Sequence, residues 1–102
     1  MERRVYEIGL IRGRHEIPGI DKYVFEGEIE DPSDILAIQN TAYENIGNIP
    51  IKYTDIKLYV TGLTPCLVEV INVCRYFRFN LTLMHFNPKT NNYYEQEVIT
   101  YK

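Results

Sequence analysis

The segment that most constrains the fold of this chain is a short apolar strand that runs through a tight turn into a helix. Residues 56–60 are Ile, Lys, Leu, Tyr and Val, an alternation that places Leu58 and Val60 on one face of a sheet. The turn that follows consists of Thr61, Gly62, Leu63 and Thr64. Pro65 then opens a helix predicted over residues 66–77. Such a junction aims unpaired backbone N–H groups and the positive end of a helix dipole at the sheet edge, and it therefore favours an anion such as phosphate.

Composition limits the class of protein. The chain has 102 residues, of which 45% are hydrophobic and 25% charged, so a single folded domain is expected rather than a disordered segment. No apolar run approaches the roughly 20 residues that cross a bilayer, and the first residues lead into no signal-peptide core. The net charge of −3 argues against general nucleic-acid binding. We expect a cytoplasmic protein that does not enter a membrane.

The first half of the chain predicts two strands and a helix. Residues 3–11 and 23–29 are rich in β-branched and aromatic side chains, which is typical of strands. Asp31 is predicted to cap a helix that has Pro32 in its first position and that ends near Ile46. Apolar residues at spacings of three and four predict that this helix packs on a sheet.

The second half completes an α/β pattern. Residues 81–86 read as a buried strand, and residues 93–101 as its antiparallel partner. One face of that last strand is predicted to carry Tyr94, Val98 and Thr100. The helix between the strands at 56–60 and 81–86 fits a parallel crossover. We expect residues 1–102 to form one compact α/β domain, a Rossmann-like mixed sheet with two helices in the order β-β-α-β-α-β-β.

The helix over residues 66–77 is apolar around most of its circumference. Its polar positions recur at every third residue, namely Glu69, Asn72 and Arg75. So narrow a polar stripe means that most faces of the helix are covered. Either a neighbouring element lies over its back, or the helix forms the interface of a homodimer, which is the alternative we expect. Cys66 and Cys74 lie about 12 Å apart along this helix, too far for a disulfide, and are predicted to be core thiols.

A second group of ionisable residues lies in the loop after the first strand. Arg12, Arg14 and His15 stand there among glycine and proline residues. If the strand at 3–11 is parallel to the strand at 56–60, this loop opens at the same sheet edge as the turn. The guanidinium groups would then bind a phosphate, and His15 would act as a general acid or base, or as a simple donor. A solvated turn without a ligand is the alternative.

The residues of the turn have matching roles toward such a ligand. Gly62 lets a ligand approach the backbone, Thr61 offers a hydroxyl to a phosphate oxygen, and Thr64 can cap the helix. The same residues also suit a well-capped turn that binds nothing. A single glycine and the lack of a lysine distinguish the turn from a Walker A loop. The candidate catalytic residue is His15, and the predicted ligand-binding residues are Arg12, Arg14, His15, Thr61, Gly62, Leu63 and Thr64.

Metal and cofactor sites have little support in the sequence. The two histidines and two cysteines form no Cys-x-x-Cys or His-Glu-x-x-His pattern, so neither a metal nor a cofactor is expected. Aromatic residues are abundant, with nine tyrosines and four phenylalanines. Those considered for stacking on bases are Tyr59, Phe86, Tyr93 and Tyr94. Aromatic residues also fill cores and subunit interfaces, and that is the interpretation we favour.

Two motifs together resemble a known family. The loop from Arg14 to Gly19 has the pattern Arg-His-x-x-Pro-Gly, and the later junction reads strand, Thr-Gly-Leu-Thr-Pro, helix. This pairing resembles the small CRISPR-associated accessory proteins of the Csx type, although this chain is shorter than CARF domains and its C-terminal hairpin has no counterpart in that pattern. The resemblance implies a CARF-like, Rossmann-like domain that dimerises and binds or degrades cyclic oligoadenylate messengers.

Two classes of function follow. The first is a binder of a cyclic nucleotide or oligonucleotide of antiviral signalling, acting as a CRISPR accessory or a phage counter-defence protein. It would sequester the messenger, or cleave it as a metal-independent ring nuclease. The second is a protein-interaction module that blocks a defence or regulatory protein without a small-molecule ligand.

Overall fold

The computed structural model of the protein describes residues 3–13 and 16–101. Within these ranges the predicted order β-β-α-β-α-β-β and the α/β fold class are confirmed. The strands are β1 (Val5–Ile11), β2 (Tyr23–Phe25), β3 (Asp55–Tyr59), β4 (Asn80–Asn87) and β5 (Asn92–Ile99). The helices are α1 (Ile35–Gly47) and α2 (Thr64–Phe77). Strand β2 is shorter than predicted, since it ends at Phe25.

The strands form one mixed sheet in the order β2-β1-β3-β4-β5. Strand β1 pairs in parallel with β2 and β3, and β3 pairs in parallel with β4, whereas β5 runs antiparallel to β4. Ile8 lies opposite Leu58, which in turn lies opposite Leu83, and all three are buried on one face. The carboxyl ends of β1 and β3 therefore meet at one edge of the sheet, here called the carboxyl edge. The opposite edge, where these strands begin, is called the amino edge.

Both helices cover the same face of the sheet. The connections from β2 to β3 and from β3 to β4 move in the same direction along the sheet, so right-handed crossovers place α1 and α2 on one side. Between the layers, Ile38, Ala42 and Ile46 of α1 join Val70 and Cys74 of α2 in a single core. Among the described residues no helix covers the other face. None of the described helices is long and apolar enough to span a bilayer.

Helix α1 begins later than predicted because a different aspartate caps it. The N-cap is Asp34, whose carboxylate accepts a hydrogen bond from the backbone N–H of Ala37 at 3.1 Å. Asp31 instead accepts bonds from the backbone N–H and the hydroxyl of Ser33, at 3.0 and 2.6 Å. The bond from the Ser33 hydroxyl lowers the pKa of Asp31. Asp31 thus closes the turn that precedes the helix, and the prediction that it caps the helix was wrong.

Helix α2 differs from the predicted polar stripe at one position. Glu69 is only 7% exposed, and it accepts a hydrogen bond from Gln39 Nε2 of α1 at 3.2 Å. Helix α1 is therefore the neighbour that covers this side of α2, while Val68 remains 45% exposed on the outside. Cys66 and Cys74 are buried and form no disulfide, as predicted for core thiols. Burial raises the pKa of Cys74 to about 12.

Strand β5 departs from the simple alternation expected of it. Glu97 lies opposite Thr82 and Ile99 lies opposite Leu81, so Val98 is an extra residue that forms a bulge. Because the bulge shifts the alternation, Ile99 enters the core with an exposure of 7%. The prediction of a shared face was therefore wrong for Tyr94, Val98 and Thr100.

Candidate functional site

The carboxyl edge brings together the two segments that the sequence predicted to be neighbours. The loop after β1 and the turn after β3 both leave the sheet there, since the two strands are adjacent and parallel. The hydroxyl of Thr61 accepts a hydrogen bond from the backbone N–H of Ile11 at 3.2 Å and lies 3.1 Å from the carbonyl oxygen of the same residue. Thr61 is buried, with 6% exposure. Its hydroxyl therefore fastens the turn to β1.

The start of α2 is the part of this edge best suited to an anion. The N-cap is Leu63 in an extended conformation, and no side chain of the described residues caps the helix. Thr64 is the first helical residue and lies exposed, so the prediction that it caps the helix was wrong. Gly62 has φ +88°, a backbone conformation that favours glycine. The helix start thus offers exposed backbone next to a residue without a side chain.

Arg12 is held on the β2 side of the same edge. Its Nε donates to Glu26 Oε2 at 2.6 Å, its Nη2 donates to the carbonyl oxygen of Asp21 at 2.7 Å, and its guanidinium lies 4.6 Å from the ring centre of Tyr23. The bond to Glu26 raises the pKa of Arg12 and lowers that of Glu26. Two of the three guanidinium nitrogens of Arg12 are therefore engaged within the protein.

The loop after β1 encloses a cavity of about 660 Å³. Its lining residues are Arg12, Gly13, Glu16, Ile17, Pro18, Gly19, Ile20 and Tyr23. The turn at 61–64 does not line this cavity, so the two predicted halves share an edge but not this hollow. Arg14 and His15 lie outside the described residues. Among the described residues, no group of three histidine, cysteine or acidic side chains is placed to hold a metal ion.

The aromatic residues considered for base stacking pack largely on one another. Tyr93 lies edge-on to Tyr59 at 5.2 Å and to Phe86 at 5.3 Å, measured between ring centres. The hydroxyl of Tyr59 donates to Glu7 Oε1 at 2.7 Å, and burial together with Glu7 raises the pKa of Tyr59 to about 12. Tyr94 lies against His85, with 5.3 Å between ring centres. The rings of Tyr59, Phe86 and Tyr93 lie on the sheet face that has no helix.

The amino edge contains a cleft that the sequence did not predict. It has a volume of about 620 Å³. Its lining residues are Arg3, Ile46, Gly47, Ile49, Ile51, Tyr53, Thr54, Phe77, Arg78, Phe79, Asn80 and Tyr101. A signal for it was present, because apolar residues continue past the end of each helix, at Ile49 and Ile51 after α1 and at Phe79 after α2.

The comparisons with known proteins give no further guide. Neither a protein-family model, nor a curated protein, nor a solved structure matches this chain.

Proposed function

We propose that this protein binds a cyclic nucleotide or cyclic oligonucleotide of antiviral signalling at the carboxyl edge of its sheet. The observation that carries the proposal is the start of α2, which no described side chain caps and which follows a glycine at φ +88°. Backbone N–H groups and the helix dipole at such a position stabilise a phosphate. The resemblance to Csx-type proteins narrows the ligand to the cyclic nucleotide class.

The neighbouring loop is the second support for the proposal. The bonds between Thr61 and Ile11 hold the end of β1 and the turn together at one edge. We expect a ligand seated at the helix start to contact Arg14 and His15, which follow β1 in the sequence. In this arrangement the backbone of Gly62 and Thr64 binds one phosphate. Arg14 contributes charge to another. Arg12 takes a structural role, because Glu26 already neutralises it.

Sequestration and cleavage differ in what they require of His15. In ring cleavage a ribose 2′-oxygen forms a bond to the neighbouring phosphorus while the bond from that phosphorus to the 5′-oxygen of the next nucleotide breaks. The step needs these atoms in line, a group that removes the 2′-hydroxyl proton, and water or the protonated base to return a proton to the 5′-oxygen. His15 is the proposed general base of that step, in a metal-independent ring nuclease. If the protein only sequesters its ligand, His15 serves as a hydrogen-bond donor.

A homodimer through α2 is part of the proposal. Its support is the outer surface of the two helices, where Leu36, Tyr43, Val68 and Tyr76 are 66, 47, 45 and 67% exposed. Tyr43 and Tyr76 are in contact across the helix pair, with 5.4 Å between ring centres. A dimer would bury this apolar surface and would place two carboxyl edges in one particle. Light scattering at micromolar concentration tests it, and a monomer would contradict it.

Thermal unfolding with a panel of cyclic di-, tri- and tetranucleotides tests the ligand. A ligand at one hundred times its dissociation constant adds about 2.7 kcal/mol to stability, which raises the unfolding temperature measurably. Arg14→Gln should reduce the increase, while Arg75→Gln, an arginine at the opposite end of α2, should retain it. If no cyclic nucleotide changes the unfolding temperature, the proposal fails.

Product analysis separates the two modes of action. After incubation with the ligand that binds, a ring nuclease releases linear product, and His15→Ala should abolish the release while binding persists. Intact ligand with both the wild type and the variant would leave sequestration as the activity.

A second candidate function, a protein-interaction module, is supported by the sheet face that no helix covers. Parallel strands are usually covered on both faces. Here the uncovered face combines the rings of Tyr59 and Tyr93 with the carboxylates of Glu7, Glu95 and Glu97, beside the cation of Lys57, which lies 3.1 Å from Glu95. A basic partner protein would complement it. A partner that binds the wild type and still binds Glu95→Lys with equal affinity would contradict this assignment.

A further inference from the structure

The cleft at the amino edge has the size and lining of a small-molecule site. Its volume of about 620 Å³ lies within the range of about 300–1,000 Å³ that is typical of ligand pockets. Four aromatic side chains contribute planar walls, namely Tyr53, Phe77, Phe79 and Tyr101. Ile51 at its rim is 100% exposed, which is unusual for an isoleucine beside an apolar cleft. The lining therefore suits a ligand with a flat, apolar body.

The charged groups of the cleft are all cationic. Arg3 and Arg78 line it, and no acidic residue does. Arg78 lies over the ring of Tyr101, 4.5 Å from its centre, and among the described residues no carboxylate or carbonyl oxygen accepts a hydrogen bond from its guanidinium. A guanidinium that is partnered only by a ring keeps its donors available for an anion.

Arg3 is the second available cation. It lies 3.5 Å from Asp55 Oδ2, a loose contact, and its side chain is 61% exposed. Asp55 is also bonded to neutral donors, because its Oδ1 accepts from the Thr54 hydroxyl at 2.7 Å and from Asn80 Nδ2 at 3.1 Å. Arg3 can therefore turn toward a ligand without leaving a carboxylate unsatisfied.

The backbone at Arg78 gives independent support. Its φ is +64°, in the left-handed region where glycine is the usual residue after a helix. A charged residue that complements the helix dipole is already present in the last turn of α2, at Arg75. Two carbonyl groups of the last turn are occupied, since the N–H group of Arg78 bonds to the carbonyl of Arg75 and that of Phe79 to the carbonyl of Cys74. Neither the turn nor the helix dipole therefore requires an arginine at position 78.

From these observations we infer that the amino-edge cleft binds a small aromatic acid, with the ring between the aromatic walls and the carboxylate on Arg78 and Arg3. This site is separate from the proposed nucleotide site, because it lies at the opposite edge of the sheet. Failure of one proposal would therefore not contradict the other.

The test is a titration of the isotope-labelled protein with 2-naphthoate, followed by amide chemical shifts and calorimetry. Shifts are expected at residues 46–54, 77–80 and 101, around the cleft. Arg78→Gln should weaken binding at least tenfold, and Arg75→Gln, a matched arginine on the same helix, should change it less than twofold. Ile51→Ser, a substitution at a fully exposed position, should weaken binding several-fold without affecting the fold.

Two control ligands measure how much the carboxylate and the aromatic ring each contribute to binding. 2-Naphthalenemethanol, which keeps the ring and lacks the charge, should bind at least tenfold more weakly than 2-naphthoate, and acetate should not bind measurably. Equal binding of the alcohol, equal binding to Arg78→Gln, shifts centred on residues 61–64, or no binding at millimolar concentration would each overturn the inference.

Discussion

The two edges of the sheet use their polar side chains differently. At the carboxyl edge, Arg12 is bonded to Glu26 and to the carbonyl oxygen of Asp21, and the Thr61 hydroxyl is bonded to the backbone of Ile11. At the amino edge, the guanidinium of Arg78 lies over the ring of Tyr101, and among the described residues no oxygen accepts a hydrogen bond from it. At the carboxyl edge, where the motifs lie, side chains of the type that binds phosphate already form hydrogen bonds within the protein. At the amino edge, where the sequence showed no motif, the guanidinium of Arg78 forms none with the described residues. A sequence motif specifies residue types, but whether a side chain can bind a ligand depends on the hydrogen bonds that it already forms in the fold.

The largest expected difference between the edges concerns two glycines. A Cβ added at Gly9 would lie 2.3 Å from the ring of Tyr23, whereas one added at Gly47 would lie 3.0 Å from Phe77. Gly9→Ala should therefore cost about 2–3 kcal/mol through overpacking. Gly47→Ala should stay within about 1 kcal/mol of the wild type, because better helix propensity offsets the tight contact. Urea unfolding measures both, and equal costs would show that the carboxyl edge is not the more tightly packed one.

Two threonines that tie β3 to β1 provide the next comparison. Thr61 bonds to Ile11 at the carboxyl edge and is buried, while Thr54 accepts from the backbone N–H of Arg4 at 3.3 Å at the amino edge and is half-buried. Thr61→Val should cost about 2 kcal/mol, since it leaves buried backbone groups without this partner. Thr54→Val should cost about 1 kcal/mol or less, because water can reach its partners. The order of the two costs in urea unfolding is the decisive result.

A smaller effect is expected from the ion pair of the carboxyl edge. Arg12 lowers the pKa of Glu26, so the pair stabilises the folded state above the ordinary glutamate pKa of about 4.3 and loses this contribution as pH falls through the lowered value. Glu26→Gln should therefore lower the unfolding temperature slightly at pH 7, by less than Thr61→Val does, because both partners are exposed. The difference in unfolding temperature between Glu26→Gln and the wild type should vanish below about pH 3, where Glu26 is protonated. A difference that persists or grows below pH 3 would contradict this role.

The smallest effect on stability is expected at Arg78. Arg78→Gly relieves the left-handed backbone, removes the contact with Tyr101 and gives the unfolded chain more freedom, and these changes oppose one another. The unfolding temperature should therefore change little, while binding of 2-naphthoate is lost. A large loss of stability would mean that Arg78 holds the fold rather than a ligand.

The outline of the fold was predictable because its signals are local. The order β-β-α-β-α-β-β follows from short apolar runs, from Pro65 and from the turn at 61–64. Each of these signals lies within or next to the element that it specifies. The parallel pairing of β1 and β3 confirmed that loop and turn share an edge. The choice between Asp31 and Asp34 as helix cap was not predictable, since both suit the position and only the path of the chain separates them.

The sequence predicted which segments form the candidate site but not which of their side chains can bind a ligand. By sequence alone, the chain determined that a glycine turn precedes the second helix and that an arginine-rich loop follows the first strand. The tertiary structure decided which side chains remain available, because Thr61 meets Ile11 across fifty positions of sequence and Arg12 meets Glu26 across fourteen. It also created the amino-edge cleft, whose walls come from both ends of the chain and both helix ends. Hydrogen bonds and cavities depend on distances in space, and spacing along the chain fixes those distances only within a single element.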